Sequence, residues 1–451
     1  MKFHFDKALT ADGWQSDVQA TVTDGRFSAL SSGVNPDPAA MRHAIAIPGL
    51  PNLHSHAFQR AMSGLAERRG PGADSFWSWR EVMYRFALSM TPDDVEAVAT
   101  QAYAEMLEGG FTRVGEFHYL HHDKNGAPYA DLCELASRVA SASSDTGLQL
   151  TLLPVFYAHS GFGGKAPGEA QRRFIHSVDT FSALYAGCET IIGRMDGANL
   201  GIAPHSLRAA IPDQLQCILL LAKDGPIHIH IAEQMKEVED CVAWSGQRPV
   251  EWLMSNMPVG ENWCLIHATH MTAAETQAMA KSGAIAGLCP ITEANLGDGI
   301  FDAPSFLAAG GRFGVGSDSN VLIDAASELR QLEYSQRLSL LARNVLAEPE
   351  QSTGEAIFGT ALAGGSAALG QEQYGLSLNA PADFVTLQAD HPAVAGHGAD
   401  SILDAMIFGN AKNLIDTVWT RGRKRVENGR HLDATRIAAR YGRTMQRLMA
   451  S

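Results

Sequence analysis

Eight short apolar runs rich in Leu, Ile and Val recur through the middle of the chain, separated by stretches with helical spacing. The runs are Leu50–His54, Thr112–Phe117, Gln149–Phe156, Leu200–Pro204, Ile227–Ile231, Trp263–His267, Ala284–Cys289 and Arg312–Gly316. The stretch PDDVEAVATQAYAEMLEGG, ahead of the second run, predicts a helix capped by Thr91 and stopped at Gly109-Gly110. Strand and helix alternate eight times between residues 48 and 318, close to the ~250 residues typical of a (β/α)8 barrel. An α/β fold with a TIM-like barrel over 48–374 is the expectation, and its active site should lie at the C-terminal strand ends.

Both ends of the chain carry a different pattern. Residues 1–47 show short alternating segments broken by Asp24-Gly25, a hairpin signal, and 375–431 again read as short strands with turns. Together they predict one small composite β-domain, a β-sandwich, built from both termini. The last segment, 432–451, reads as a basic amphipathic helix that docks on the protein or contacts another subunit.

Polar groups of a particular kind sit where the apolar runs end. His54 and His56 lie in PGLPNLHSH, His230 in HIHIAEQ, His267 in CLIHATH and Asp318 in GVGSDSN. Residues i and i+2 of a strand share a face, so His54 and His56 can converge on one point. Imidazoles with a carboxylate suit a borderline-soft cation, and zinc fits best, with iron and manganese open. His54, His56, His230 and Asp318 are the expected ligands of one metal per chain, which leaves a position for water, as in a catalytic site. A two-metal site would want a bridging Lys or Glu at a middle strand end; TLLPVFYAHSG and LGIAPHSL offer none. Glu233, three residues after His230, is placed to shuttle a proton, a role that a hydrolytic site requires. His267 could ligate the metal or hold the water and the developing oxyanion, and the second role is preferred. Asp318 is expected to ligate and also to accept a proton through its second oxygen. His228 is read as a core histidine; nothing singles out His118, His121 or His122 as ligands.

Composition narrows the partners. Of 451 residues, 45% are hydrophobic, which suits a folded globular protein. Thirty-five basic against 49 acidic residues give −14, against a nucleic-acid or anionic-membrane partner. The six cysteines form no CxxC pair and are expected to be free thiols. MKFHFDKALTADG is charged where a signal peptide needs an apolar core, so a soluble cytoplasmic enzyme is expected.

These motifs resemble the one-zinc deaminase branch of the amidohydrolase superfamily over nearly the whole chain. PGLPNLHSH, HIHIAE, His267 and GVGSD are similar to its metal and catalytic motifs, and NAPADFV and TRGRKRVENGRH to its composite small domain. Within that branch, HSHAFQRAMSGLAE, DSFWSWREVMY, GEFHYLHH, APHSLRA and CPITEANLGDG resemble the N-formimino-L-glutamate deiminases. The resemblance implies hydrolysis of an amidine-like carbon in a small dicarboxylate during histidine breakdown, with release of ammonia. It assigns Arg208 and Arg80 to carboxylate binding, for which bidentate guanidinium is well suited. It places Gln59, Tyr119 and His205 in the pocket as neutral hydrogen-bonding groups. A zinc-dependent homodimer is expected. Two rivals stay open: a guanine-deaminase-like enzyme of the same branch, and a non-catalytic barrel serving as a scaffold.

Overall fold

The computed structural model describes residues 1–70, 72 and 74–450. All eight expected parallel strands are present, with shifted ends: Leu50–Ser55, Phe111–His118, Gln149–Phe156, the interrupted pair Asn199–Leu200 and Ala203–Pro204, Ile227–Ile231, Trp263–His267, Ile285–Leu288 and Arg312–Val315. The first four form one parallel sheet and the last four another. Isolated parallel bridges at Ile202–Ile227, Ser206–His230 and Ser55–Asp318 connect the two arcs at both junctions. The fourth strand breaks because it changes partner. Gly201 donates to the Leu152 carbonyl on one side, whereas Ile202 donates to Pro226 on the other.

At the junction of the first and eighth strands the backbones are unusually close. A Cβ on Gly316 would lie 2.7 Å from the His54 carbonyl oxygen, so only glycine fits there. Asp318 donates its N–H to His54 at 3.0 Å, and its carbonyl accepts the His56 N–H at 3.0 Å. Asn320 adds Nδ2 bonds to the His56 and Asp318 carbonyls at 3.1 and 3.0 Å. These bonds fix the positions of three candidate ligands at once.

The predicted helix is Pro92–Glu108, with Thr91 and Asp94 forming a reciprocal cap and Gly109 at its end. The terminal helix Ala434–Ala450 docks against it, through Arg440–Glu96 at 2.8 Å and an Arg447–Asp94 ion pair.

Strands from both termini do meet, and they join in one hydrogen-bonded sheet of eight strands that curls on itself: Phe27 and Phe384, four strands apart in the sheet order, have ring centroids 6.2 Å apart. The link is the antiparallel pairing of Met41–Pro48 with Phe384–Leu387, which uses the edge of each terminal half to complete the other. Phe3, Phe5, Phe384 and Trp419 pack their rings over this link. The Asp24-Gly25 hairpin forms, with φ of 50° and 75° at its two central residues. The segment 388–414 is not all strand and turn: helix Ile402–Phe408 lies within it and packs on helices Ala325–Leu340 and Thr353–Ala368. Its apolar residues recur at helical spacing, and burial against those helices outweighs the β-rich surroundings.

Candidate active site

Every residue singled out from the sequence except His54 lines one pocket, of about 560 Å³, at the C-terminal strand ends, and His54 lies directly beneath it. At its floor the Nε2 atoms of His56 and His230 lie 3.2 and 3.0 Å from Nε2 of His54. His56 donates Nδ1–H to the Phe117 carbonyl at 3.0 Å, and His230 donates its own to the His205 carbonyl at 3.1 Å. Both rings therefore present an Nε2 lone pair to the shared point. Burial keeps all three imidazoles neutral, pushing His54 down to about 3 and lowering His56 and His230 as well. Lone pairs crowded this closely repel unless a cation lies among them, and neutral imidazole is the form that binds metal. The donor set thus fits a metal ion.

Asp318 completes the set from the eighth strand end. Its Oδ1 is 3.5 Å from His54 Nε2 and 3.3 Å from His56 Nε2, while its Oδ2 faces His267 Nε2 at 3.8 Å. Burial disfavours the charged carboxylate, but the hydrogen bond to His54 and the other imidazoles outweigh it and hold Asp318 well below the usual carboxylate range. One oxygen faces the metal-capable cluster and the other is free for proton chemistry.

His267 stands between carboxylates. Its Nε2 lies 3.7 Å from Glu233 Oε1, and its Nδ1 lies 3.3 Å from Glu293 Oε1. Burial works against the imidazolium, yet Glu233, Glu293 and Asp318 raise its pKa to about 10. Glu233 itself is raised to about 7, first by burial and then by Asp318, with His267 and Arg208 opposing. Backbone conformation sharpens these placements: Ala232, His267, Ala268 and Asp318 all have positive φ, between 45° and 68°. Left-handed non-glycine residues concentrated at three strand ends are a mark of a functional site.

Two acidic groups near His267 escaped the sequence reading. Glu293 begins its helix with the motif PITEANL, and its Oε1 also accepts the Cys289 N–H at 2.9 Å. Asp298 accepts from Gln234 Nε2, and burial with Glu233 nearby raises its carboxyl to about 9. Both lie in CPITEANLGDG, a segment in which no local spacing marks either residue for a role. The cluster His267, Cys289 and Glu293 is a poor metal site, because burial keeps the Cys289 thiol protonated.

The remaining pocket residues stand where they were expected. Gln59 Nε2 donates to the Tyr119 hydroxyl at 2.8 Å, and Gln59 Oε1 has no hydrogen-bond partner among the described residues. His205 packs beside His230, with ring centroids 4.9 Å apart. Arg208 and Arg80 share the pocket, and neither has a carboxylate partner among the described residues. Arg80, on helix Phe76–Ser89, instead covers the Trp77 ring at 4.4 Å. His228, read as a core histidine, is buried and bonds the Ala368 carbonyl at 2.7 Å, while His121 and His122 bond the carbonyls of Val155 and Ile175. Five of the six cysteines are buried and all are free.

Comparison with known proteins agrees with this geometry. Residues 45–425 match the amidohydrolase family, and residues 1–44 match the N-terminal domain of formimidoylglutamate deiminase HutF. A formimidoylglutamate deiminase of Pseudomonas aeruginosa is 46% identical over 447 residues, 98% of each chain. The crystal structure of an amidohydrolase from Brucella melitensis covers 99% of both chains at 55% identity, with a TM-score of 0.97. An adenosine deaminase from Xanthomonas campestris, solved with bound zinc, shares the fold at 21% identity and a TM-score of 0.84, covering 100% of this chain and 98% of its own. The chain belongs to the amidohydrolase family, in the group of the formimidoylglutamate deiminases.

Proposed function

We propose that the protein is a zinc-dependent formimidoylglutamate deiminase that converts N-formimino-L-glutamate and water to N-formyl-L-glutamate and ammonia in histidine degradation. The full-length likeness to the Pseudomonas aeruginosa deiminase supports the activity. The observation that carries the substrate is that two guanidiniums without an ion-pair partner among the described residues, Arg208 and Arg80, line the pocket whose floor is the three-histidine cluster. A net charge of −14 gives no general attraction for a dianion, so local guanidinium is needed to hold it.

His54, His56, His230 and Asp318 would hold one zinc ion. When bound, zinc lowers the pKa of a water toward neutrality and polarises the C=N group. Glu233 takes the proton of the attacking water, whose oxygen bonds to the formimino carbon. The same carboxyl delivers that proton to the imino nitrogen as the C=N bond opens; Asp318 then takes the remaining hydroxyl proton as the C=O forms and passes it to the same nitrogen, so the C–N bond breaks and ammonia leaves with both protons of the water. A carboxyl raised to about 7 suits both halves of this transfer near neutral pH. His267, charged and anchored by Glu293, stabilises negative charge that develops at the reacting centre. Asp318 Oδ2 assists at the water, and Gln59, Tyr119 and His205 orient the formimino end.

The two parallel arcs are read as one closed (β/α)8 barrel spanning 48–374, with the composite sheet domain from 1–47 and 375–431 and the docked helix 432–451. The active form is read as a cytoplasmic homodimer. Ammonia release from N-formimino-L-glutamate, compared with guanine, tests the activity. Preference for guanine would replace the substrate and leave the metal-dependent deaminase intact.

A further inference from the structure

Two pocket tyrosines have their hydroxyl oxygens capped by glutamine amides. Gln59 Nε2 reaches Tyr119 at 2.8 Å, and Gln171 Nε2 reaches Tyr157 at 2.6 Å. The second pair has no part in the reading above. Gln171 is buried in a short turn, Glu169–Gln171, in the loop after the third parallel strand. Its Oε1 accepts the Gly168 N–H at 2.8 Å. That bond decides the amide's orientation: the oxygen faces a donor, so the NH2 group must face Tyr157. A phenol oxygen that accepts an N–H keeps its own proton for another acceptor, and the Tyr84 hydroxyl, which also lines the pocket, is the described neighbour within its reach.

The proton is therefore directed into the pocket, toward Tyr84 or a ligand bound beside it. Tyr157 lines it beside Arg208, Arg80 and Tyr84, and its ring lies 4.6 Å from that of His205. The neighbouring phenol, Tyr84, keeps its own proton: burial first, and Tyr157 next to it, raise its pKa. Two phenol donors thus share the pocket with the two arginines, and Arg208, though it feels the charges of Glu237 and Glu233, forms no ion pair with either among the described residues. We propose that Tyr157 is a specificity-determining residue that donates its hydroxyl proton to a substrate carboxylate gripped by Arg208, and that Gln171 is the positioning residue that turns this proton into the pocket. The inference rests on the dicarboxylate reading of the substrate.

Tyr157→Phe, Gln171→Leu and the double variant test it, with turnover of N-formimino-L-glutamate and calorimetric binding of N-formyl-L-glutamate as separate readouts. A hydrogen bond to a charged group corresponds to about a tenfold effect or more. Tyr157→Phe should raise KM and weaken product binding by about that factor, with kcat nearly held. Gln171→Leu should act in the same direction, and the double variant should be no worse than Tyr157→Phe, because both remove one donor. Metal content and thermal midpoint should match the wild type. Unchanged KM and binding in Tyr157→Phe, or effects of the two single variants that multiply, would overturn the proposal. If the wild type binds N-formyl-L-glutamate and Tyr157→Phe loses that binding while neither turns over the formimino compound, the deiminase reading fails and the proposal stands. No binding of the dicarboxylate to the wild type overturns the proposal as well.

Discussion

Glu293 holds His267 from behind: its Oε1 lies 3.3 Å from the imidazole Nδ1, opposite the Nε2 that faces Glu233 and Asp318. The same oxygen accepts a backbone N–H from Cys289, so the carboxylate cannot swing away without breaking two bonds. His267 is thereby oriented and kept charged. Glu293→Gln retains the shape and removes the charge. Activity should fall roughly 10–100-fold, the usual effect of losing a partner that orients a site imidazole, while metal content stays near that of the wild type. Full activity in this variant would show that His267 needs no such support.

Metal content offers a direct check on the histidine cluster. The wild type should carry roughly one divalent ion per chain, most of it lost in His54→Ala or His230→Ala, since each removes an Nε2 from a set only 3.0–3.2 Å apart. Elemental analysis after metal-supplemented expression measures this. Two ions per chain, or none, would contradict the single-site reading.

Glu233→Gln keeps the side chain's shape but ends proton transfer. The expected loss in kcat is ~10²–10⁴, with fold and metal retained. Steady-state ammonia release decides it, and near-normal turnover would remove Glu233 from the mechanism.

The raised pKa of Glu233 also predicts a pH profile. Burial disfavours the carboxylate, so the group titrates near 7. Above that pH it is ionised and can take a proton from water; below it the carboxyl is already protonated and cannot. Log kcat/KM should therefore fall as pH drops through about 7, and a bound cation would move that limb lower. A profile flat from about pH 5 to pH 8 would assign the proton to another group.

Specificity should reside in the arginines. Arg208→Ala or Arg80→Ala should lower kcat/KM by at least ~10-fold, the equivalent of one charge-assisted hydrogen bond, without loss of metal. A substrate lacking the side-chain carboxylate should be poor for the wild type and lose little more in the variant whose arginine grips that group. Equal turnover by Arg208→Ala would show that the assigned substrate is wrong.

The strand ends and their ligands were legible in the sequence because their physical signal is local. A run of Leu, Ile and Val that stops at a histidine marks both the burial of a strand and the place where it leaves the core. Spacing of two sets His54 and His56 on one face whatever surrounds them. The helix of Pro92–Glu108 was equally plain, since Thr91, Asp94 and Gly109 cap it through neighbours in sequence. By contrast, nothing local marks Glu293 or Asp298, which matter only because packing brings them against His267 and Glu233. Gln171 became meaningful only when the loop after the third strand set it beside Tyr157.

The sequence by itself determined the alternation of elements, the types of the candidate ligands and the order in which they occur, all of which depend on side-chain chemistry and short-range periodicity. Tertiary structure alone decided three other things: that the terminal strands form one sheet, that Asp318 divides its two oxygens between His56 and His267, and that Arg208 and Arg80 line the pocket without an ion-pair partner among the described residues. Each depends on groups far apart in the chain. Their distances, and the loss of water that makes those distances matter, exist only once the whole core has closed.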